Sequence, residues 1–198
     1  GEAIQRIAPP ANILQLHVNT ASAEGTLEGL TRIYTEIAGK LERGDALSAA
    51  EKHYIGYDAV QLMPIHPTVE FEGGPHFWHL QDEDATNDII TVSLMCPDMT
   101  NWGYDILLCA MNAVNPTALG SKRPDELIDF IAALHNFPGQ PIKVILDVVY
   151  GHIDNQALPL LNQRFFAGAN MYGQNVNFRD PVVRALLLEM QRATMTLA

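Results

Sequence analysis

The stretch VILDVVYGH at residues 144–152 decides how the rest of the chain is interpreted. It begins as a continuous apolar run, which is typical of a strand buried on both faces of a parallel sheet. It ends at Asp147 and His152, where such a strand would open into a loop. In parallel α/β folds the functional side chains lie at the carboxyl ends of the strands. The stretch therefore predicts both a fold class and one wall of a binding pocket.

The composition predicts a globular protein and disfavours two classes of partner. The chain has 198 residues, of which 47% are hydrophobic and 18% are charged, so it can form a sizeable core. Its formal net charge of −11 disfavours nucleic acid and membrane surfaces as partners, because both favour basic proteins. No apolar run approaches the roughly 20 residues that cross a bilayer. A neutral ligand such as a sugar is compatible with this charge.

The cysteines and the N-terminus favour a cytoplasmic location. Residues 1–4, GEAI, show neither the basic region nor the apolar region of a signal peptide. Cys96 and Cys109 are too few for a disulfide framework, so we interpret them as reduced thiols. A redox pair is the alternative.

Apolar periodicity predicts strands that alternate with helices. The predicted strands are at 13–18, 59–63 and 142–149. Helices are predicted at 27–37, after Ser48, at 124–134 and at 181–190. Residues 65–102 and 153–178 are expected to be long, irregular loops. The alternation indicates parallel βα units, and since no linker interrupts it we expect a single, partial domain over residues 1–198.

Four segments, taken together and in order, resemble the α-amylase family of glycoside hydrolases. They are ILQLHV at 13–18 with EGTLEGL at 24–30, GYDAVQLMP at 56–64, WGYD at 102–105 with Asn115-Pro116 and Leu119-Gly120, and PDEL at 124–127 ahead of LDVVYGH at 146–152. The resemblance implies an α/β fold that forms the N-terminal portion of a TIM (β/α)8 barrel, about three βα units, with long insertions in its βα loops.

The resemblance also implies retaining cleavage of an α-glucosidic bond. That chemistry needs a carboxylate nucleophile and a carboxylic acid about 5–5.5 Å apart. In the family these groups follow the fourth and fifth strands, and a further Asp follows the seventh. The match here ends at NFRDPVVR, residues 177–184, which resembles the start of the third helix. We therefore expect no catalytic residue in this segment, which would be inactive alone, and expect the rest of the barrel in the same or another chain.

Four residues are expected to contact or support the substrate because they occupy the family's positions. Tyr104 matches the tyrosine that stacks on the innermost glucose, and His152 matches the histidine that contacts this sugar. Asp147 matches an aspartate that supports the site through hydrogen bonds. Asn101 stands where some α-glucosidase-like relatives have an aspartate that binds glucose hydroxyls. The alternatives are a loop cap for Asp147, a structural histidine, and core packing of Tyr104 beside Trp102.

No cofactor is expected. Gly151 stands where many relatives have an asparagine that binds calcium, and glycine offers no side-chain oxygen to a hard cation. Asp154 and Asn155 are nearby oxygen donors that could compensate. A zinc site in the first long loop is the less favoured alternative, because no helix is predicted there and no cysteine is among the candidate ligands. Its four candidate ligands are His66, His76, His79 and Asp82.

Four other side chains receive structural predictions. Gln15 and His17 lie on the first predicted strand, where inward-facing residues fill a barrel, so we expect both in the core. Phe77 and Trp78 lie in the first long loop, and we expect them to form a pocket rim or a lid.

The substrate is expected to be a small glucoside or an oligosaccharide. The long loops suggest a narrowed pocket, and glucosylglycerol is one candidate. A transglycosylase or a glycoside phosphorylase of the same fold remains open as an alternative, because only the acceptor differs. A truncated, non-catalytic barrel that acts as a binding or structural module is the other. Three βα units alone would expose unpaired strand edges, so self-association into a homo-oligomer is also expected.

Overall fold

The computed structural model of the chain describes residues 8–68, 78–84, 89–94, 102–104, 114–159 and 161–197. The strands are β1 (Ile13–Leu16), β2 (Ala59–Leu62), β3 (Trp78–Asp84), β4 (Ile89–Leu94), β5 (Lys143–Leu146), β6 (His152–Ile153), β7 (Phe166–Asn170) and β8 (Gly173–Val176). The α-helices are α1 (Leu27–Arg43), α2 (Glu126–His135) and α3 (Pro181–Leu197). Single 3-10 turns lie at Glu51–Tyr54, Pro116–Ala118, Asn155–Ala157 and Gln163–Phe165. In this described part, no helix is long and apolar enough to cross a membrane.

The three predicted strands form one parallel sheet, in the order β1, β2, β5. Successive residues of a strand face opposite sides of a sheet, so one row of side chains faces the helices and the next faces away. The row Leu16, Leu62 and Leu146 is in register and packs against the helices. Gln61 belongs to the opposite row, which ends next to Asp147. The sheet therefore has an apolar layer on the helix side and a mixed row, which includes Gln15 and Gln61, on the other side.

Helix α1 forms because its capping and its apolar spacing agree. The Thr26 hydroxyl accepts a hydrogen bond from the Gly29 N–H at 3.1 Å and caps the first turn. The helix ends at Arg43 and is capped by Gly44, whose φ of 75° is easily adopted only by glycine. Apolar side chains at intervals of three and four residues are fully buried against α2 and the sheet: Leu27, Leu30, Tyr34 and Ile37. The predicted helix is confirmed and extends to Arg43.

The predicted helix after Ser48 is confirmed as a single 3-10 turn. The Ser48 N–H donates to the Glu51 carboxylate at 2.8 Å, and the Glu51 N–H donates to Ser48 Oγ at 3.2 Å. This reciprocal pair is a capping box. The Lys40 ammonium and Ser48 together lower the pKa of Glu51 to about 2. The turn is thereby tied to the end of α1.

Both long loops contain strands, so the prediction of irregular structure is wrong for parts of them. In the first, β3 and β4 form an antiparallel hairpin. In the second, β6, β8 and β7 form an antiparallel sheet in that order. This sheet packs on α3 through a small separate core that includes Ile153, Val176 and Val183. β6 has only two residues, and β7 and β8 are short and contain glycine and asparagine, so these three strands carry too weak an alternation to be recognised in the sequence.

The prediction that Gln15 lies in the core is wrong for the described structure. Leu14 and Leu16 face the helices, so Gln15 and Ile13 face the opposite side of the sheet, and both are exposed. His17 follows β1 and is half-buried, with Nδ1 3.0 Å from the Thr20 hydroxyl. His17 therefore stabilises the turn that follows β1.

One buried carboxylate joins α1 and α2. Glu126, at the start of α2, is only 6% exposed. Its oxygens accept hydrogen bonds from the Glu28 N–H, the Gly120 N–H, and the N–H and hydroxyl of Ser121. Burial by itself would raise the pKa of Glu126, but these bonds outweigh it and hold the pKa below the ordinary value of 4.5. The ionised carboxylate therefore stabilises the α1–α2 contact.

We expect Glu126→Ala to lower the free energy of unfolding at pH 7 by about 2 kcal/mol, because its donors lose their acceptor. The folded-state pKa is lowered, so this stabilisation is present above pH 4.5 and is lost as the pH falls through the folded-state value. Urea unfolding at pH 7 and pH 3 measures both effects. Asp129→Ala, an exposed change on the same helix, is the control. An equal loss of stability at the two pH values would contradict the assignment.

A second prediction concerns the hydroxyl of Tyr34. This side chain lies fully buried and makes edge contacts with Tyr54, Phe130 and Phe137. Among the described residues its hydroxyl has no hydrogen-bond partner, and burial raises its pKa well above the usual range. We expect Tyr34→Phe to raise the free energy of unfolding by about 1 kcal/mol. Tyr54→Phe, which removes a bond to the Ala21 carbonyl, should lower it. Thermal unfolding decides, and destabilisation by Tyr34→Phe would refute the prediction.

Candidate functional site

The candidate site lies at the carboxyl end of the parallel sheet and is centred on Asp147. The Asp147 N–H donates to the Leu62 carbonyl at 3.0 Å, which continues the β2–β5 pairing by one residue. Its Oδ2 accepts two hydrogen bonds, from Tyr104 Oη at 2.6 Å and from Gln61 Nε2 at 3.2 Å. Asp147 therefore joins the end of β5, the neighbouring strand β2 and the segment that carries Tyr104.

Tyr104 reaches this carboxylate because of a close approach between two backbone segments. Gly103 has a φ of 87°, and a Cβ atom there would lie 2.7 Å from the Pro64 carbonyl oxygen. Only glycine allows this contact, which holds residues 102–104 against the end of β2. Trp102 meets the Tyr104 ring edge-on, with 5.5 Å between ring centroids, and remains 53% exposed. Tyr104 thus packs beside Trp102, as the core-packing alternative has it, but it is half-buried and keeps part of its surface exposed.

The phenol of Tyr104 is held in its protonated form. Burial, the hydrogen bond to Asp147 and the negative charge of that carboxylate together raise the pKa of Tyr104 to about 12. The hydroxyl donates its proton to Asp147. Towards a ligand it can therefore only accept, and the aromatic ring is the larger part of Tyr104 that remains for contact.

His152 is tied to the same segment through its ring. Its Nε2 lies 2.7 Å from the carbonyl oxygen of Tyr104. A carbonyl can only accept, so Nε2 carries the proton and, in the neutral ring, Nδ1 holds the lone pair. The ring also lies 5.0 Å from that of Tyr172, inclined by 30°. His152 is therefore fixed at one edge and on one face.

The structure brings three of the four predicted binding residues together. The Tyr104 hydroxyl donates to the Asp147 carboxylate, and the Tyr104 backbone carbonyl accepts from the His152 ring. A loop cap does not describe Asp147, since its carboxylate contacts two side chains. Asn101 lies outside the described residues.

Two residues of the site were not predicted. Gln61 carried a signal that could have been used, because it is a polar residue inside an apolar strand. Tyr172 carried none, because its place beside His152 depends on how β7 and β8 pair.

The metal alternatives stay predictions, because only some of their candidate ligands lie in the described residues. These residues contain no group of three His, Cys, Asp or Glu side chains that could hold a metal ion. Gly151 is exposed, and the side-chain oxygen of Asn155 accepts a hydrogen bond from Gln174 at 2.9 Å. His66 is buried. Several other residues named in the sequence analysis lie outside the described residues, wholly or in their side chains: His76, Phe77, Trp78, His79, Asp82, Cys96 and Cys109.

Comparison with protein families identifies the relationship. The family model described as "Hypothetical glycoside hydrolase 5" matches residues 1–197. The chain belongs to this family. The resemblance to glycoside hydrolases, drawn from the motifs, is thereby confirmed. No curated protein matches the sequence.

Solved structures show the same fold. A protein from Salmonella typhimurium, provisionally named an α-amylase, matches with a TM-score of 0.55 and 21% identity, over 94% of this chain and 24% of its own. An α-amylase from Lactobacillus plantarum matches with a TM-score of 0.55 and 15% identity, over 91% of this chain and 35% of its own. Identities this low establish the fold alone. The chain spans about a quarter to a third of the length of these two proteins.

We expect Asp147→Asn to lower the pKa of Tyr104 from about 12, because the substitution removes a negative charge and a strong acceptor. The pKa should stay above the ordinary value of 10, because burial, the largest cause of the shift, remains. A pH titration of the labelled Tyr104 Cζ resonance measures the change. Asp129→Asn, on the far side of the helix layer, is the control. An unchanged Tyr104 pKa would show that the two groups are not bonded.

Proposed function

We propose that this chain is part of a glycoside hydrolase that cleaves an α-glucosidic bond with retention, and that it supplies one wall of the sugar-binding pocket. The observation that carries the proposal is the bonded group Asp147, Tyr104 and His152 at the carboxyl end of a parallel sheet. Ligand sites of α/β folds form at that end. Membership of a glycoside hydrolase family supports a sugar as the ligand.

Each of the three residues has a distinct role in this proposal. The Tyr104 ring packs on the apolar C–H face of a glucosyl unit, while its hydroxyl stays bonded to Asp147. Asp147 receives its two protein donors on Oδ2, so Oδ1 is the oxygen that accepts from a sugar hydroxyl. His152 uses Nε2 for the Tyr104 carbonyl, so a neutral ring accepts a sugar hydroxyl at Nδ1.

The bond-breaking carboxyl groups are not assigned to this chain. Retaining hydrolysis needs two of them about 5–5.5 Å apart on either side of the bond. Within the described site Asp147 is engaged by Tyr104 and Gln61, which suits support of a sugar rather than attack on it. We propose that the remainder of a (β/α)8 barrel, in the same or another chain, supplies the reacting groups. The short span of this chain relative to its structural neighbours is consistent with that.

A transglycosylase or a glycoside phosphorylase would use the same wall, because these enzymes differ in the acceptor. A non-catalytic module would bind the sugar without turnover. Glucosylglycerol as the substrate and a cytoplasmic location also remain predictions.

The experiment is an activity assay on the gene product that contains this chain, with 4-nitrophenyl α-glucoside and with glucosylglycerol. We expect hydrolysis that first releases the α-anomer of glucose, which proton NMR detects. Asp147→Ala and Tyr104→Ala should each lower kcat/KM by about 100-fold, because the sugar loses its orientation. Asp129→Ala should leave activity unchanged. Release of the β-anomer would overturn retention, and absence of turnover on every glycoside would overturn the enzyme.

The 198-residue chain alone is expected to bind these glucosides weakly and not to cleave them. Turnover by the purified chain would show that it contains the reacting carboxyl groups. Phosphate-dependent release of a sugar phosphate, or transfer of glucose to glycerol, would favour the alternative reactions instead.

A further inference from the structure

The hairpin between β7 and β8 carries an aromatic residue to the candidate site. Tyr172 lies in the turn, and its ring is 5.0 Å from that of His152 with an inclination of 30°. The side chain is 48% exposed, although an aromatic ring gains free energy when buried. One face of Tyr172 therefore covers His152, while the rest of the ring is open to a ligand.

The position of Tyr172 is set by hydrogen bonds within the hairpin. The Asn170 side-chain oxygen accepts from the Tyr172 N–H at 2.8 Å. The amide nitrogen of Asn170 donates to Asn175 at 2.9 Å, and Asn175 donates in turn to the Gly168 carbonyl at 3.2 Å. Asn175 is also the β-ladder partner of His152. The same short network thus holds both the turn and the strand opposite His152.

A glycine allows this hairpin to approach the strand that bears His152. Gly173 has a φ of 128°, and a Cβ atom there would lie 2.4 Å from the Ile153 carbonyl oxygen. Any larger residue would separate β8 from β6. The backbone geometry, rather than a side-chain preference, therefore places Tyr172 over the imidazole.

We propose that Tyr172 is a positioning residue for His152 and supplies a second aromatic surface for the apolar face of a bound glucoside. The Tyr104 carbonyl fixes one edge of the imidazole, and the Tyr172 ring fixes one face. Together they direct Nδ1 towards the ligand. The role of Tyr172 in binding a glucoside rests on the proposed function. Its role in positioning the His152 ring does not depend on that function.

The test compares Tyr172→Leu, Tyr172→Ala, Tyr172→Phe and Met171→Ala. Phenylalanine retains the ring, leucine retains apolar bulk without it, and Met171 is the adjacent turn residue, 86% exposed. In the 198-residue chain we expect the His152 Cε1–H resonance to shift in the leucine and alanine variants, because the ring current is lost. It should stay in place in the phenylalanine and Met171 variants. Circular dichroism checks that every variant is folded.

In the gene product that contains this chain, the same variants are assayed with 4-nitrophenyl α-glucoside. We expect the leucine and alanine variants to lose roughly three- to tenfold in kcat/KM, the size of an aromatic contact. Tyr172→Phe and Met171→Ala should stay within about twofold of the parent. If Tyr172→Phe is as impaired as Tyr172→Leu, or if Tyr172→Leu changes neither kcat/KM nor the His152 resonance, the inference is overturned.

The two proposals can fail separately. If the parent protein shows no turnover of any glucoside, the proposed function fails, and the His152 resonance still decides whether Tyr172 positions the imidazole. If the parent is active and Tyr104→Ala is impaired while Tyr172→Leu is not, the proposed function stands and the role of Tyr172 is refuted.

Discussion

The parallel pairing of β2 with β5 is the constraint on which the rest of the site depends. It aligns Leu62 with Leu146 and so brings the next residue, Asp147, to the carboxyl end of the sheet, within hydrogen-bond distance of Gln61. A shift of one residue would turn Asp147 towards the helix layer, because successive residues of a strand face opposite sides. The apolar row that packs on α1 and α2 fixes this register, so the core of the helix layer determines where the carboxylate lies.

The site is assembled as a chain of contacts from this carboxylate outward. Asp147 holds the hydroxyl of Tyr104, the Tyr104 carbonyl holds His152, and His152 packs on Tyr172. Each contact joins an element from a different part of the chain. Burial and Asp147 both raise the pKa of the Tyr104 phenol, whose proton is committed to the bond with Asp147. These contacts hold the ring of Tyr104 and the imidazole of His152 in place relative to the carboxylate.

Two glycines allow the loops to approach the sheet closely enough for these contacts. Gly103 lies against the Pro64 carbonyl and delivers Tyr104, and Gly173 lies against the Ile153 carbonyl and delivers the hairpin. In both places a Cβ atom would collide with backbone rather than with a movable side chain. The site is thus defined by the packing of main chains.

The sequence by itself determined the three parallel strands and the apolar faces of the helices, and its motifs indicated Asp147, Tyr104 and His152 as candidates for the site. These features depend on local periodicity and on short motifs, which are read within one segment. Only the tertiary structure decided that Gln15 is exposed, and that Gln61 and Tyr172 join the site. These features depend on contacts between segments that are distant in the sequence. Strand register, hairpin pairing and close backbone contacts determine those contacts, and no single segment encodes them.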